Sequence, residues 1–213
     1  MLDFFDLDTP ERKEERKAHE EKLKREKQAK IQRAVQEKNI EFDLRPYTKH
    51  QEGETIQQEF TLFLCTKVGI LDLPDTLGRR HFKLYENVNL DTVFVAAKRD
   101  KRIITGHADK LLHIERTYFD ENYRGFGLST KLNEAFFDLY LERFSDYPIS
   151  VEFVNPLAEY VMQKTLREKN MSHLLNESLI QRYYNANEHA DLLRSLKDKD
   201  NAIFPLESHA YMS

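Results

Sequence analysis

Tryptophan is absent from the 213 residues, and cysteine occurs once, at Cys65. A lone thiol excludes an intramolecular disulfide framework and every multi-cysteine zinc motif. It suits a reducing compartment, so the chain is expected to be soluble and cytoplasmic. Glycine and proline are sparse, at six each, too few for a collagenous or low-complexity chain. No apolar run is long enough to span a bilayer. The opening Met1–Asp8 is acidic and its apolar stretch is interrupted, so it does not read as a signal peptide. What the chain does carry is aromatic. Fourteen Phe and ten Tyr argue against wholesale disorder. Charged residues make up 33% and hydrophobic ones 40%, which suits one domain with appendages or two very small domains.

The formal charge of -4 is unevenly spread. Residues 10–39 hold eleven Lys and Arg against seven Asp and Glu, a local +4 that leaves -8 elsewhere. This segment reads as helix. Thr9 can cap it, Pro10 fits the first helical position, and Glu11, Glu14 and Glu15 favour the positive end of the dipole. Glu20–Lys24, Glu21–Arg25 and Glu26–Lys30 are i,i+4 pairs in the favourable order. Apolar positions are few and form no heptad seam. Clustered cations suit a nucleic-acid-binding arm. The interspersed acids and the lack of aromatics favour instead a solvated helix, projecting from the domain or packing its last turns on it. Leu2–Leu7 suits an acidic-aromatic docking peptide equally with a segment folded back onto the body.

From residue 40 the pattern is mixed α/β. Ile40–Leu44 alternates apolar and charged like a half-buried strand, with Pro46 expected to end it. Ile56, Phe60, Phe63, Leu64 and Val68 fall at helical spacing, which predicts a helix over 55–68, with a strand over 60–68 as the alternative. Pro74, Asp75 and Gly78 predict an irregular connection over 70–89. Thr92–Ala97 and Ile103–Gly106 around a charged turn read as a hairpin. Leu111–Phe119 is the next strand, and Leu128, Leu132, Ala135, Phe136 and Leu139 line one face of a helix. Ile149–Val154 is a strand, followed by a helix to about 169, a strand over 178–184 and a closing helix over 188–197. One mixed sheet with helices on its faces is the expected architecture.

The most informative stretch runs from Tyr118 to Lys131, where a strand ends, a polar loop follows and two glycines open an amphipathic helix. Gly125 and Gly127 let the backbone approach a ligand. First-turn N–H groups and the helix dipole form an anion site, Arg124 adds a cation, and Ser129 and Thr130 add hydroxyls. That chemistry suits a pyrophosphate. The third glycine of a dinucleotide fingerprint is missing, and no Gly-Lys-Ser/Thr follows as in a P-loop.

In this context the turn resembles the coenzyme A-binding segment of the GNAT superfamily of acyl-CoA-dependent N-acyltransferases. That signature is Arg/Gln-x-x-Gly-x-Gly/Ala, and Arg124, Gly127 and Ser129 occupy its positions, with Ser a small departure. The resemblance covers about 40–184. It implies a mixed, mostly antiparallel twisted sheet flanked by helices, here with a charged N-terminal helix. It also implies that acetyl-CoA is the cosubstrate. The amides of Gly125, Phe126, Gly127, Leu128 and Ser129, with Thr130 nearby, would hold the pyrophosphate. Thr117, Tyr118 and Phe119 would pair like a strand with the pantetheine arm, and Asn155 would touch the cofactor.

Acyl transfer to an amine needs a base for the amine and an acid for the leaving thiolate. His113 and Glu115 lie two apart on a strand and so share a face, with Leu112, Ile114 and Arg116 expected opposite. Glu152 is a further base candidate. A solvent-facing polar strand side is the plain alternative, and for Asn155 it is a turn that starts a helix. The family's acid, a Tyr on the helix after that Asn, falls here on Met162 or Leu166. Either Tyr160 or Tyr118 substitutes, or water protonates the thiolate, or acyl-CoA is bound without efficient transfer, and Asn170-Met171 replaces the usual closing Gly-Phe. Cys65 in its apolar stretch reads as structural. His107, Asp109 and His113 could be drawn as a metal site, but strands and loops of this kind collect such residues by chance, and no metal is expected.

The division expected is an acidic-aromatic segment and charged helix at 1–39, an acyltransferase-like domain at 40–187, and a C-terminal helix and tail at 188–213. The activity expected is acetyl transfer from acetyl-CoA to an amine acceptor by direct attack. The alternatives are a catalytically weak acyl-CoA-binding module that binds or inhibits a partner, and an acyltransferase modifying nucleic acid or tRNA. Residues 1–39 are the surface left for a protein or nucleic-acid partner. No membrane association is expected, and the oligomeric state is open.

Overall fold

Apolar side chains buried from the central strands and from three helices set the architecture. The computed structural model describes residues 10–37, 39–67, 76–93, 106–119, 125–174, 178–182, 184, 189–192 and 194–195. The elements are α1 (Pro10–Gln36), β1 (Ile40–Glu52), β2 (Thr55–Thr66), β3 (Thr76–Asn89), α2 (Leu90–Val93) and β4 (His107–Phe119). They continue with α3 (Leu128–Arg143), β5 (Ile149–Phe153), α4 (Pro156–Glu168) and β6 (Leu179–Arg182). The six strands form one mixed sheet in the order β1-β2-β3-β4-β5-β6. The first three pairings are antiparallel and the last two parallel. Parallel neighbours need a crossover, which α3 and α4 supply. Two successive right-handed crossovers in one direction put both helices on the same face. Leu132 and Phe136 of α3 and Met162 and Leu166 of α4 accordingly share one core with Phe60, Leu62, Phe82, Leu112 and Val151.

Several expectations need correction. Residues 55–66 are strand β2, not helix. Phe60, Leu62 and Leu64 point into the core, while Thr61 and Phe63 on the opposite face are also buried. A strand covered on both faces loses its period-two signature and reads as a continuous apolar run. β1 passes through Pro46, where its register with β2 shifts between Pro46 and Lys49. A proline is tolerated there because β1 is an edge strand with an irregularity at that point. The expected irregular connection at 70–89 contains the fourteen-residue strand β3. Gly78 sits in it because a Cβ would overlap the Phe119 ring. Residues 92–93 belong to a helical turn rather than a strand. The rest of the expected hairpin, 94–105, lies outside the described residues. β4 pairs instead with β3, from Gly78↔Phe119 to Asn89↔His107.

The charged helix is present as α1. Its last turns bury Ile31 and Ala34 completely or nearly so in the main core, while most of its length is exposed. Glu21 and Arg25 pair at 3.6 Å across that exposed face. Residues 1–9, including Thr9 and the Leu2–Leu7 segment, lie outside the described residues. Of the expected closing helix, 190–192 and 194–195 are helical. No helix among the described residues is long and apolar enough to cross a membrane.

Candidate functional site

The site begins with one extra residue in β4. Phe82 pairs with Ile114 and His81 with Arg116, so Glu115 is a bulge with no β3 partner. A bulge resets which side chains face which way. Arg116 therefore joins the His81 face instead of lying with Leu112 and Ile114, as simple alternation predicts. Thr117 moves to the core face, where its Oγ1 accepts from Arg80 Nε at 3.0 Å.

The same bulge marks where β4 leaves β5. The two strands pair at only three positions, Leu112↔Ile149, His113↔Ser150 and Ile114↔Val151. β5 continues against β6 to Phe153↔Arg182, while Arg116–Phe119 pair only with β3. Among the described residues no strand pairs with 115–119 on the β5 side. In an antiparallel strand alternate residues turn their N–H and C=O away from the partner. The last third of β4 therefore offers a short row of backbone groups toward the gap.

Beyond this edge lies the glycine turn. Gly125 and Gly127 take φ of 89° and 72°, a left-handed backbone that L side chains seldom adopt. Gly127 is the N-cap of α3, and no side chain caps it. Among the described residues a Cβ at either glycine would meet nothing within 4 Å. The backbone conformation requires glycine here, and packing against the described residues does not. Leu128 is buried in the core, Phe126 packs against its margin, and Ser129 and Thr130 are half-buried in the first turn. Arg124 and Tyr123 lie outside the described residues.

Beneath the second turn of α3 is a buried cation. Arg80 on β3 is 5% exposed. Its Nη2 donates to Asn133 Oδ1 of α3, and its guanidinium carbon lies 4.9 Å from the Phe136 ring centroid. Nη1 is buried with no hydrogen-bond partner among the described residues. Burial lowers the Arg80 pKa to about 10, which leaves it charged at neutral pH. No carboxylate among the described residues neutralises it.

The acid–base candidates separate clearly. His113 is 5% exposed, and its Nδ1 lies 2.8 Å from Ser150 Oγ. Burial pushes its pKa down to about 4, so the ring is neutral at pH 7. Glu115 is exposed at the bulge, with Oε1 3.1 Å from Lys83 Nζ. Glu152 is half-buried and pairs in register with Gln181 of β6. Asn155 caps α4, accepting from Leu157 N at 2.8 Å ahead of Pro156. Tyr160 is buried on α4, and Met162 sits in the core cluster. Tyr118 is 40% exposed and lies beneath the Arg79 guanidinium, 5.2 Å from the ring centroid. Asn170 takes φ 58° after α4, and Met171 N donates to Leu166 O while Asn170 N donates to Arg167 O. Asparagine thus closes this helix in the left-handed cap that glycine usually fills. Cys65 is half-buried, and burial raises its thiol pKa, which suits a structural residue.

Sequence reading missed His81. It lines a cavity of about 170 Å³ together with Tyr47, Glu59, Thr61, Lys83 and Glu115. Its Nδ1 is 2.6 Å from Thr61 Oγ1. The residue falls in the stretch read as an irregular connection, so no strand alternation pointed to it. Comparison with known proteins gives no match to this chain among family models, curated proteins or solved structures.

Proposed function

We propose that the protein is an acetyl-CoA-dependent N-acyltransferase of the GNAT kind that acts on an amine acceptor. The observation that carries this reading is the parting of β4 from β5 at the Glu115 bulge, with the left-handed glycine turn and the start of α3 directly beyond it. An extended ligand arm with amide groups, such as pantetheine, can pair with the exposed backbone at Thr117–Phe119 as an added strand would. The amides of Gly125 to Ser129 and the α3 dipole favour a pyrophosphate. Among the described residues nothing fills either glycine Cβ position and no carboxylate neutralises Arg80, which agrees with a polyanion at this end of the sheet. Arg124 supplies a further cation in this reading.

Backbone N–H groups at the bulge would polarise the thioester carbonyl. Glu115, the carboxylate at the parting, would accept a proton from the amine nitrogen directly or through a water. His113 is less suited, because burial and Ser150 hold its ring. Tyr118, exposed at the end of β4, is better placed than buried Tyr160 to return a proton to the thiolate. A second reading, an acyl-CoA-binding protein with weak transfer, draws on the engagement of Glu115 by Lys83.

Calorimetric titration with acetyl-CoA tests the assignment. Wild type binds at one site and Gly127→Trp does not. Absence of binding to wild type removes the family reading. Binding without thiol release across a broad panel of amines leaves the binding-protein reading.

A further inference from the structure

The face of the sheet away from α3 and α4 carries a polar constellation centred on His81. Lys83 Nζ lies 3.3 Å from Glu59 Oε1 and 3.1 Å from Glu115 Oε1, so two carboxylates share one ammonium in the cavity wall. Burial opposes the charges on both Lys83 and Glu59. Their mutual attraction, with Glu115 acting on Lys83, still holds the Lys83 pKa up and the Glu59 carboxyl down. His81 stands beside this trio, its ring edge-on to Tyr118 at 5.8 Å and tilted against Tyr47 at 6.4 Å. Thr61, fully buried, engages Nδ1, which leaves Nε2 as the nitrogen for a ligand. His81 pairs with Arg116, the residue after the bulge, and Glu115 belongs both to the bulge and to the cavity wall.

We infer that this cavity is the acceptor site, that Glu59 and Glu115 receive the head of a primary amine, and that His81 Nε2 accepts its proton. This rests on the acyltransferase reading for the transfer step, though not for amine binding. Among the residues that line the cavity two carboxylates meet one lysine, with Arg79 and Arg116 close to His81 but outside that lining, so the wall itself has room for a second ammonium of ligand origin. The aromatic rings of Tyr47 and Tyr118 suit an alkyl chain or the charge it bears.

In the reaction the ammonium gives one proton to Nε2, and the amine lone pair forms the C–N bond at the thioester carbonyl carbon. The C–S bond then breaks with its electron pair going to sulfur. The nitrogen then loses its second proton to Glu115, directly or through a water, and the thiolate gains one, so one proton in all goes to solvent. Burial, followed by the Arg79 charge and then Arg116, keeps the His81 ring below its ordinary pKa, while Glu115 and Glu59 pull the other way. A neutral imidazole at pH 7 is the form a base requires.

The test is a nuclear magnetic resonance titration of the full chain with n-butylamine and, separately, n-butanol, read at the His81 ring signals assigned with His81→Asn. The amine is expected to shift them and the alcohol not, with Glu59→Gln and Glu115→Gln each weakening the effect about ten-fold. Equal shifts from both compounds, or none from the amine, overturn the acceptor site. In acetyl-CoA turnover with n-butylamine, His81→Gln is expected to lower kcat about a hundred-fold without changing acetyl-CoA affinity. An unchanged kcat overturns the proton-accepting role. An amine-dependent shift in a protein that fails to bind acetyl-CoA upholds the amine site and overturns the transferase reading.

Discussion

Arg80 on β3 and Asn133 on α3 are joined by a buried hydrogen bond from Nη2 to Oδ1. The same guanidinium reaches Thr117 on β4 through Nε at 3.0 Å. One side chain therefore ties the helix that follows the glycine turn to the strand end that precedes it. Arg80→Met orphans the Asn133 amide, which is 1% exposed, and such an orphan costs about 1–3 kcal/mol. Urea unfolding should register that loss. The double variant with Asn133→Leu should recover most of it, because replacing both partners by apolar groups removes the unpaired group. Simple additivity of the two substitutions would contradict the pairing.

The buried imidazole of His113 predicts a pH dependence. Its pKa falls from 6.5 to about 4 on folding, so between those values the unfolded chain binds more protons than the native one. The stability this group confers is complete above pH 6.5 and is lost as pH falls toward 4. The full loss is about 3 kcal/mol at 1.36 kcal/mol per unit. Denaturation midpoints measured from pH 4 to pH 7 should show this slope in wild type and lose most of it in His113→Gln.

Two glycines near the site should respond differently. At Gly78 an added Cβ runs into the Phe119 ring, and Gly78→Ala is expected to cost about 1–3 kcal/mol as overpacking. At Gly127 nothing crowds the Cβ, but φ is 72°. Gly127→Ala should cost only about 1–2 kcal/mol from backbone strain and should weaken acetyl-CoA about ten-fold or more. Melting curves and titrations on the same samples separate the two effects.

Along α1 the energetics should be lopsided. Ile31 is fully buried, and Ile31→Ala is expected to destabilise by about 2–5 kcal/mol. Removing residues 1–24, whose described part is exposed, should leave the thermal midpoint within a few degrees. If the cationic helix binds polynucleotide, the same truncation abolishes a salt-dependent affinity. No binding by the full chain at low salt removes that role.

The helix α3 was legible because Leu128, Leu132 and Phe136 keep a helical period on its buried face; β4 and β5 were legible as short β-rich apolar runs, although Leu111, His113 and Ser150 are buried on their second face as well. β2 and β3 were not. Thr61 and Phe63 are buried opposite Phe60 and Leu62, and that erases the alternation. Gly78 and its neighbours look like turn residues until Phe119 is seen lying across the glycine. The glycine turn was readable because left-handed backbone restricts residue choice. The Glu115 bulge was not, since a register shift leaves no local mark in composition. His81 went unnoticed for the same reason, its partners Thr61 and Glu115 being brought to it by pairing across three strands.

Hydrogen–deuterium exchange with and without acetyl-CoA tests the parting of β4 from β5 as a ligand groove most directly. The account predicts slowed exchange at the amides of 116–119 and 127–129 together, with β1 and the exposed turns of α1 unchanged. Protection confined to other elements, or none at acetyl-CoA concentrations well above those of a cell, would contradict it.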